Sequence, residues 1–137
     1  NARLQDYLIK VGLPHQVRFQ NDLGVEITHM GTEMDFDQLS RGERTRLILG
    51  LSWSFRDIWE SNNQAINLVF VDELLDQGLD QIGLEKSVEI LKGSSRDRAK
   101  NVFLVSHREE LIGRVNHVLR VTKENNFTSY SDDIEIV

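Results

Sequence analysis

The feature that most constrains this sequence is a run of six almost entirely apolar residues, 66–71, that ends directly in two acids. The run reads INLVFV, and its β-branched and aromatic residues are typical of a strand buried on both faces of a parallel sheet. A second apolar run, 102–105, follows a stretch of helical periodicity from about Leu79 to Leu91. Strand, helix and strand in this order predict a parallel βαβ unit and therefore an α/β fold.

The composition narrows the class of protein. The chain has 137 residues, 39% of them apolar, and a single proline, so a disordered tail is excluded and one compact domain is expected. No stretch approaches the roughly 20 apolar residues that a membrane span needs, and no secretory leader is evident. The absence of cysteine excludes disulfides, thiolate catalysis and thiolate zinc sites, and it fits a cytoplasmic location.

Charge is spread unevenly along the chain. The net charge of −6 excludes a uniformly basic nucleic-acid binder. Residues 61–91 carry one lysine against six acids, whereas residues 92–100 carry four bases against one acid. The two blocks are either solvated surfaces or a cation site beside an anion-facing loop. Three bases of the second block would then meet DNA phosphates, namely Arg96, Arg98 and Lys100.

The remaining segments predict a small antiparallel portion and several helices. Leu4, Leu8 and Val11 predict a short opening helix that ends at Gly12, either part of a coiled-coil seam or a packed amphipathic helix. The other predicted elements are a β-hairpin with strands at Val17 to Phe19 and Val25 to Ile27, a short helix from about Glu109, and two strands near 116–121 and 126–130.

The strongest predicted helix covers residues 41–60. Ser40 precedes it and Glu43 follows three residues later, a capping-box pattern that satisfies backbone donors of the first turn. Its predicted apolar stripe consists of Leu47, Ile48, Leu51, Phe55, Ile58 and Trp59.

Polar residues begin where the two predicted strands end. Asp72 and Glu73 follow the first strand, and Ser106 and His107 follow the second, so parallel pairing brings them to one edge of the sheet, where open α/β folds bind ligands. Adjacent side chains diverge in extended backbone, which suggests separate tasks: one acid beside Mg²⁺ and one that takes a proton from water. The alternatives are an acidic pair that caps a turn and a histidine that caps a helix.

The segment LSRGERTR, residues 39–46, opens the strong helix with a serine, a glycine and several arginines. A helix N-terminus offers free backbone amides and a positive dipole, so an anion or phosphate can bind there. The alternative is a plain capping box with exposed arginines. The other histidines, His15, His29 and His117, have no metal-ligand spacing, and no role is predicted for them.

Taken in chain order, these motifs resemble the second half of an ABC-type ATPase head. LSRGE resembles the signature motif, INLVFVDE a Walker B strand, GLD at 78–80 the end of a D-loop, and VSH at 105–107 a switch-histidine loop. The RGERTR continuation resembles SMC-type ATPases, and among these the ATPase subunit of the SbcC-type recombination nuclease, including bacteriophage versions. The implied fold is the C-terminal half of an ABC-type P-loop NTPase: mostly parallel buried strands, flanking helices and a small antiparallel β portion.

The resemblance also implies a role for each motif. It makes Asp72 the magnesium-associated acid, Glu73 the general base, and His107 a contact to the γ-phosphate of ATP. The residues that would touch ATP bound by the opposite head are Ser40, Arg41, Gly42 and Glu43. The D-loop would comprise Gly78, Leu79 and Asp80, with Asp80 at the dimer interface.

The sequence departs from the family pattern in two ways, and these limit what the chain can be expected to do alone. Asp72 through Asp80 spans nine residues where eight are usual, and no GxxxxGK[ST] phosphate loop is present. We therefore expect one lobe, 1–137, with its motifs in 39–107 and a coiled-coil stump in 1–13. Its expected cofactors are ATP and Mg²⁺, and its expected partners are a P-loop lobe, a second head, an SbcD-type nuclease and DNA, with no membrane. Alternatives are a non-catalytic docking module and a metal-dependent phosphohydrolase.

Overall fold

The computed structural model describes residues 1–22, 24–98 and 100–132, with the side chains of residues 97, 98 and 132 left undescribed. The chain divides into two compact units, one of residues 1–106 and one that begins at His107. In the described ranges, no helix is long and apolar enough to cross a membrane.

The first unit opens with a helix packed against a long second helix. Helix α1, Ala2–Val11, ends at Gly12, whose φ of 74° lets the chain turn out of the helix. Leu4, Leu8 and Val11 are buried, which confirms the predicted amphipathic helix. Leu8 contacts α2, Arg41–Asn62, at Gly50, where a Cβ would lie 2.7 Å from the leucine methyl. Glycine at this position therefore allows the two helices to approach closely.

A three-stranded antiparallel sheet lies between these helices in the sequence. Its strands are β1, Gln16–Phe19, β2, Val25–His29, and β3, Thr32–Met34, so the predicted hairpin is confirmed and extended by one strand. The second turn consists of Met30 and Gly31, both with positive φ, the geometry that matches the twist of a tight hairpin. Sequence reasoning missed it because methionine rarely adopts this conformation.

Helix α2 begins and ends close to the predicted bounds, but its predicted apolar stripe is wrong for four of its six residues, while Leu47 is buried as predicted. The side chains that α2 buries are Thr45, Leu47, Leu49, Gly50, Trp53 and Ser54. Four members of the predicted stripe are between 41% and 55% exposed, namely Ile48, Phe55, Ile58 and Trp59. The reason is steric, since α1 packs against the small residues of α2, and a rule based on bulk and periodicity selects the opposite side.

The βαβ unit is confirmed with shifted bounds. Strand β4, Leu68–Asp72, pairs in parallel with β5, Asn101–Val105, and α3, Gln81–Arg98, connects them. The prediction that these strands are buried on both faces of the sheet is wrong. Val69 and Val71 are buried, whereas Phe70 is 66% and Phe103 51% exposed. Alternate residues face α3 and its neighbours on one side, and the described part of the chain leaves the other side open to solvent.

A buried ion pair connects the end of α2 to the beginning of this sheet. The Nζ atom of Lys100 lies 2.7 Å from both carboxylate oxygens of Glu60 and donates to the Ile66 carbonyl at 2.9 Å. Arg56 approaches the same carboxylate at 2.8 Å. Burial acts to raise the pKa of Glu60, but Lys100 and Arg56 outweigh it and hold that pKa below its ordinary value.

The second unit consists of a short 3₁₀ helix and a hairpin. The 3₁₀ helix covers Glu109–Arg114, where a helix was predicted. Strands β6, Leu119–Glu124, and β7, Phe127–Asp132, pair in antiparallel register, which confirms the two predicted strands with their bounds displaced by a few residues. Asn125 and Asn126 form the turn with positive φ, a conformation that asparagine tolerates.

Candidate functional site

The parallel pairing of β4 and β5 brings three predicted site residues to one edge of the sheet. Asp72 is the last residue of β4 and lies opposite Val105, the last residue of β5. Glu73 and Ser106 follow these positions directly. The edge is the carboxyl end of both strands, which is where α/β sheets bind ligands.

The backbone turns sharply at Glu73. This residue has φ of 50° and ψ of 6°, a left-handed conformation that few residues other than glycine adopt. Its amide still donates to the Val105 carbonyl at 2.9 Å, so the turn is anchored to the neighbouring strand. A non-glycine residue held in this region is characteristic of functional sites, where surrounding structure maintains the strain.

Asp72 and Glu73 are both exposed at this edge. Mg²⁺ usually retains several waters and takes one or two carboxylates together with substrate phosphates. A single exposed aspartate at a strand end fits such an ion when a nucleotide brings it. The described residues contain no group of three or more acids or histidines that could hold a resident metal ion.

The first turn of α2 forms the predicted capping box. The Ser40 hydroxyl accepts from the Glu43 amide at 3.3 Å, and the Glu43 carboxylate accepts from the Ser40 amide at 2.8 Å. Hydrogen bonding to the carboxylate by the Ser40 side chain, and next by the Ser40 amide, holds the pKa of Glu43 below its ordinary value. Ser40 and Arg41 are exposed, so this turn faces solvent at the positive end of the helix dipole.

The same turn is in direct contact with the segment 76–80. A Cβ on Gly42 would lie 2.7 Å from the backbone oxygen of Gly78, so only glycine fits at this crossing. Gly78 itself has φ of 70° and packs against the side chain of Arg41. The Thr45 hydroxyl donates to the Gln77 carbonyl at 2.7 Å.

Asp80 has two partners within the chain. Its Oδ1 accepts from the Gly83 amide at 2.7 Å, which caps the first turn of α3, and lies 2.5 Å from Nη2 of Arg46. The hydrogen bond from Gly83, followed by Arg46, holds the pKa of Asp80 below its ordinary value. Arg46 also donates to the Gly12 carbonyl at 3.2 Å and so joins α1 to this corner.

Asp76 was not assigned a role by sequence reasoning, and the structure gives it a contact. Its Oδ1 accepts a short hydrogen bond from the hydroxyl of Ser106. Asp76 and Ser106 are 30 residues apart in the chain. No local sequence pattern predicts a contact between residues this far apart. The only sequence signal was that Asp76 lies within the Asp72 to Asp80 interval, which is one residue longer than is usual in the family.

His107 follows Ser106 directly in the chain and is the first residue of the second unit, and its predicted role stays a prediction. The predicted basic block is positioned differently from expectation. Lys100, predicted to meet phosphates or lie in a solvated loop, is only 4% exposed and is paired with Glu60. Arg96 is exposed on α3 rather than in a loop, because the helix continues to Arg98. The side chain of Arg98 lies outside the described residues.

His15 and His29, which had no predicted role, lie against each other beside the first turn of α2, with His15 buried and His29 partly exposed. Their rings lie 4.5 Å apart, and Nε2 of His15 lies 3.9 Å from the Glu43 carboxylate. Nδ1 of His15 is buried without a hydrogen-bond partner among the described residues. Burial lowers the pKa of His15 and outweighs the opposing effect of Glu43. Sequence spacing alone could not reveal this contact between three separate elements.

Sequence comparison relates the chain to two curated phage proteins. It is 27% identical over 130 residues to the exonuclease subunit 2 of Escherichia phage RB69 and 23% identical to that of Enterobacteria phage T4. In both cases the match covers 93% of this chain and 23% of the relative, so the chain spans about a quarter of their length. No protein-family model matches the sequence.

Structural comparison finds SMC head domains. A chain from a study of ATP-driven dimerization and DNA-stimulated activation of SMC ATPases superimposes with a TM-score of 0.77 at 14% identity, covering 97% of this chain and 82% of that one. The SMC head domain from Thermotoga maritima matches with a TM-score of 0.68 at 18% identity, over 98% of this chain and 47% of that one. The chain thus has the fold of part of an SMC-type ABC ATPase head and is a relative of phage exonuclease subunit 2.

Proposed function

We propose that this chain supplies half of an ATPase site in an SMC-like DNA repair or recombination ATPase that controls a partner nuclease on DNA. One observation carries the proposal. The acidic edge of the β4 and β5 pair and the capped first turn of α2 are joined through the segment 76–80 within one compact unit. This contact supports the proposal that the chain contributes two parts of a nucleotide-binding arrangement, whereas a phosphate loop is not among its motifs.

The proposed chemistry is hydrolysis of Mg²⁺-bound ATP. Asp72 would hold the ion through water, and Glu73 would accept a proton from the attacking water. His107 would contact the γ-phosphate, as the resemblance of residues 105–107 to a switch-histidine loop implies. The positive charge of Mg²⁺ would offset the repulsion between the exposed acids at this edge and the phosphates of ATP.

The exposed first turn of α2 supports a site shared between two heads. The residues proposed to meet the γ-phosphate bound by a second head are Ser40, Arg41, Gly42 and Glu43. Backbone amides and the helix dipole favour an anion at this end. The proposed D-loop, Gly78 to Asp80, lies directly against this turn, which supports a role for both at a dimer interface.

An open apolar face supports the complementary P-loop lobe as a partner. We call this the apolar face; it consists of Leu68, Phe70, Phe103 and Val105, all at least 39% exposed. The rings of Phe70 and Phe103 stack with centroids 5.0 Å apart. A surface of this kind on the central sheet is characteristic of a contact site rather than of a solvated edge.

The nuclease partner and DNA contact rest on the phage relatives, which are exonuclease subunits. Arg96 remains a candidate phosphate contact because it is exposed on α3. The opening helix α1 is proposed to continue into a coiled-coil arm, and the chain to act in the cytoplasm, including that of a phage host.

The test is reconstitution. The chain is mixed with a P-loop-bearing lobe from the phage RB69 relative, and ATP hydrolysis is measured for the mixture and for each part alone. We expect hydrolysis only in the mixture, and a loss of about 100-fold or more in Glu73→Gln with ATP binding retained. Glu124→Gln, an exposed glutamate of β6, is the matched control and should leave the rate unchanged.

Two outcomes would contradict the proposal that this chain supplies half of an ATPase site. The first is hydrolysis at ordinary enzyme rates by the chain alone, abolished by Glu73→Gln. The second is a mixture that binds no nucleotide, which favours a docking module that uses the apolar face for another protein.

A further inference from the structure

The segment Asp76–Asp80 is held from two sides by side chains. On one side, the Asp76 carboxylate accepts from Ser106, the last residue before His107. On the other, the Gln77 carbonyl accepts from Thr45, and Asp80 pairs with Arg46. Each contact joins this segment to an element far away in the sequence.

The segment is also too short and too closely packed to absorb movement at either end. Gly78 donates from its amide to the Asp76 carbonyl at 3.2 Å, so the backbone folds back on itself between the two anchor points. Gly42 and Gly78 cross with no room for a Cβ on the former. A shift of the first turn of α2 must therefore displace residue 78, and only one residue separates it from Asp76.

The hydroxyl groups of Ser106 and Thr45 and the carboxylate of Asp76 connect separate segments through hydrogen bonds and do not fill space in the hydrophobic core. Ser106 and Asp76 are partly exposed, and neither fills a hydrophobic cavity. Thr45 is buried, but its hydroxyl reaches the Gln77 carbonyl at 2.7 Å, across from its own helix. Loss of these hydrogen bonds should loosen the segment without opening the core.

We propose that Asp76 and Thr45 are positioning residues that make the segment 76–80 a rigid link between the first turn of α2 and the backbone preceding His107. The proposal rests on the proposed function, because it gives the link a consequence for hydrolysis. A nucleotide that engages Ser40 to Glu43 would, through this link, set the position from which His107 leaves the sheet edge.

The first experiment measures amide hydrogen exchange of residues 76–80 in this chain without nucleotide. Ser106→Ala and Thr45→Val each remove one donor and should accelerate exchange about fivefold or more. Asp76→Asn keeps an acceptor oxygen for Ser106 and should exchange like the unchanged chain. Ser61→Ala serves as the control, because this hydroxyl bonds only within its own helix: it donates to the Ile58 carbonyl and accepts from the Asn62 side chain.

The second experiment measures ATP hydrolysis in the reconstituted two-lobe assembly. Ser106→Ala and Asp76→Ala should lower kcat about tenfold while KM for ATP changes less than twofold, and Ser106→Thr should restore kcat. Unfolding midpoints of all variants should stay within a few degrees of the unchanged chain, which separates positioning from stability.

Each possible result supports or overturns either the proposed link or the proposed function. Unchanged exchange in Ser106→Ala and Thr45→Val would overturn the link. Faster exchange with unchanged kcat would overturn its role in positioning. If the unchanged assembly hydrolysed no ATP, the proposed function would fail, while faster exchange in the variants would still support the rigid link.

Discussion

The two ends of helix α2 differ in how completely this chain surrounds them. Around the first turn, polar groups find partners within the chain: Ser40 with Glu43, Thr45 with Gln77, and Arg46 with Asp80. Around the second half, Phe55 and Trp59 are about half exposed, as are the aromatic residues of the apolar face. The polar groups of the first turn are thus paired within this chain, whereas the apolar side chains of the second half are left exposed by the described residues.

The largest effect is expected where a buried charge would lose its partner. Glu60→Ala should leave the ammonium of Lys100, which is 4% exposed, without its carboxylate. Removal of one member of a buried pair costs about 3 to 5 kcal/mol in the free energy of unfolding, measured by chemical denaturation. The double variant Glu60→Met, Lys100→Met should recover most of that loss, and Glu124→Ala should cost nothing. Equal stability of the single and double variants would contradict the interpretation.

The next effect contrasts the core with the apolar face. Leu8→Ala removes a fully buried side chain at the contact with Gly50 and should cost about 3 kcal/mol. Phe70→Ala removes a larger side chain that is 66% exposed and should cost less than about 0.5 kcal/mol in this chain alone. Denaturation of the two variants in parallel is the measurement. A large loss from Phe70→Ala would mean that the face is already covered.

A smaller effect is expected at the glycine crossing. Gly42→Ala places a Cβ 2.7 Å from the Gly78 carbonyl oxygen, which forces the backbone apart and should cost about 1 to 2 kcal/mol. Gly113→Ala is the control, because a Cβ there meets nothing within 4 Å. Thermal unfolding of both variants distinguishes the two sites, and equal midpoints would argue against a tight crossing.

The smallest effect is expected from His15. Burial lowers the pKa of His15 in the folded chain, so the unfolded chain takes up the proton first as pH falls. The stabilisation by the neutral ring is therefore complete above the unfolded value of 6.5 and decreases as pH falls below it. Its slope should stay below the about 1.4 kcal/mol per pH unit that one proton can contribute.

Glu43 and His29 are the ionisable groups that lie against this ring. Denaturation of the unchanged chain and of His15→Gln between pH 8 and pH 5.5 is the measurement. We expect a flatter profile for the variant, and parallel profiles would exclude His15 as the source.

Local patterns were predicted well from the sequence, and contacts between distant elements were not. The capping box of Ser40 and Glu43 needs only three residues of spacing, and the apolar runs of β4 and β5 define the parallel pair. The buried side of α2 depends on which neighbour packs against it, and Gly50 marks that side through its small size rather than its hydrophobicity. The apolar stripe predicted from hydropathy therefore lies mostly on the side of α2 that the described residues leave exposed.

The same limit applies to the candidate site. Asp72, Glu73 and Ser106 could be placed at one edge because strand ends and chain order determine it. The link from Asp76 to Ser106, the buried pair of Lys100 and Glu60, and the position of His15 beside Glu43 all join residues at least 28 apart. Such contacts depend on tertiary packing, which a single sequence does not encode in any local period.

The cluster of Arg56, Glu60 and Lys100 also has a consequence for self-association. The Asn67 carbonyl accepts from the Asn101 amide, so the carbonyls of Ile66 and Leu68 point away from β5 toward the outer edge of the sheet. Arg56 donates to both of these carbonyls, at 2.6 and 3.0 Å. The outer edge of β4 is therefore already occupied at its beginning by a charged side chain, which opposes strand addition from another copy of the chain and with it sheet-to-sheet aggregation.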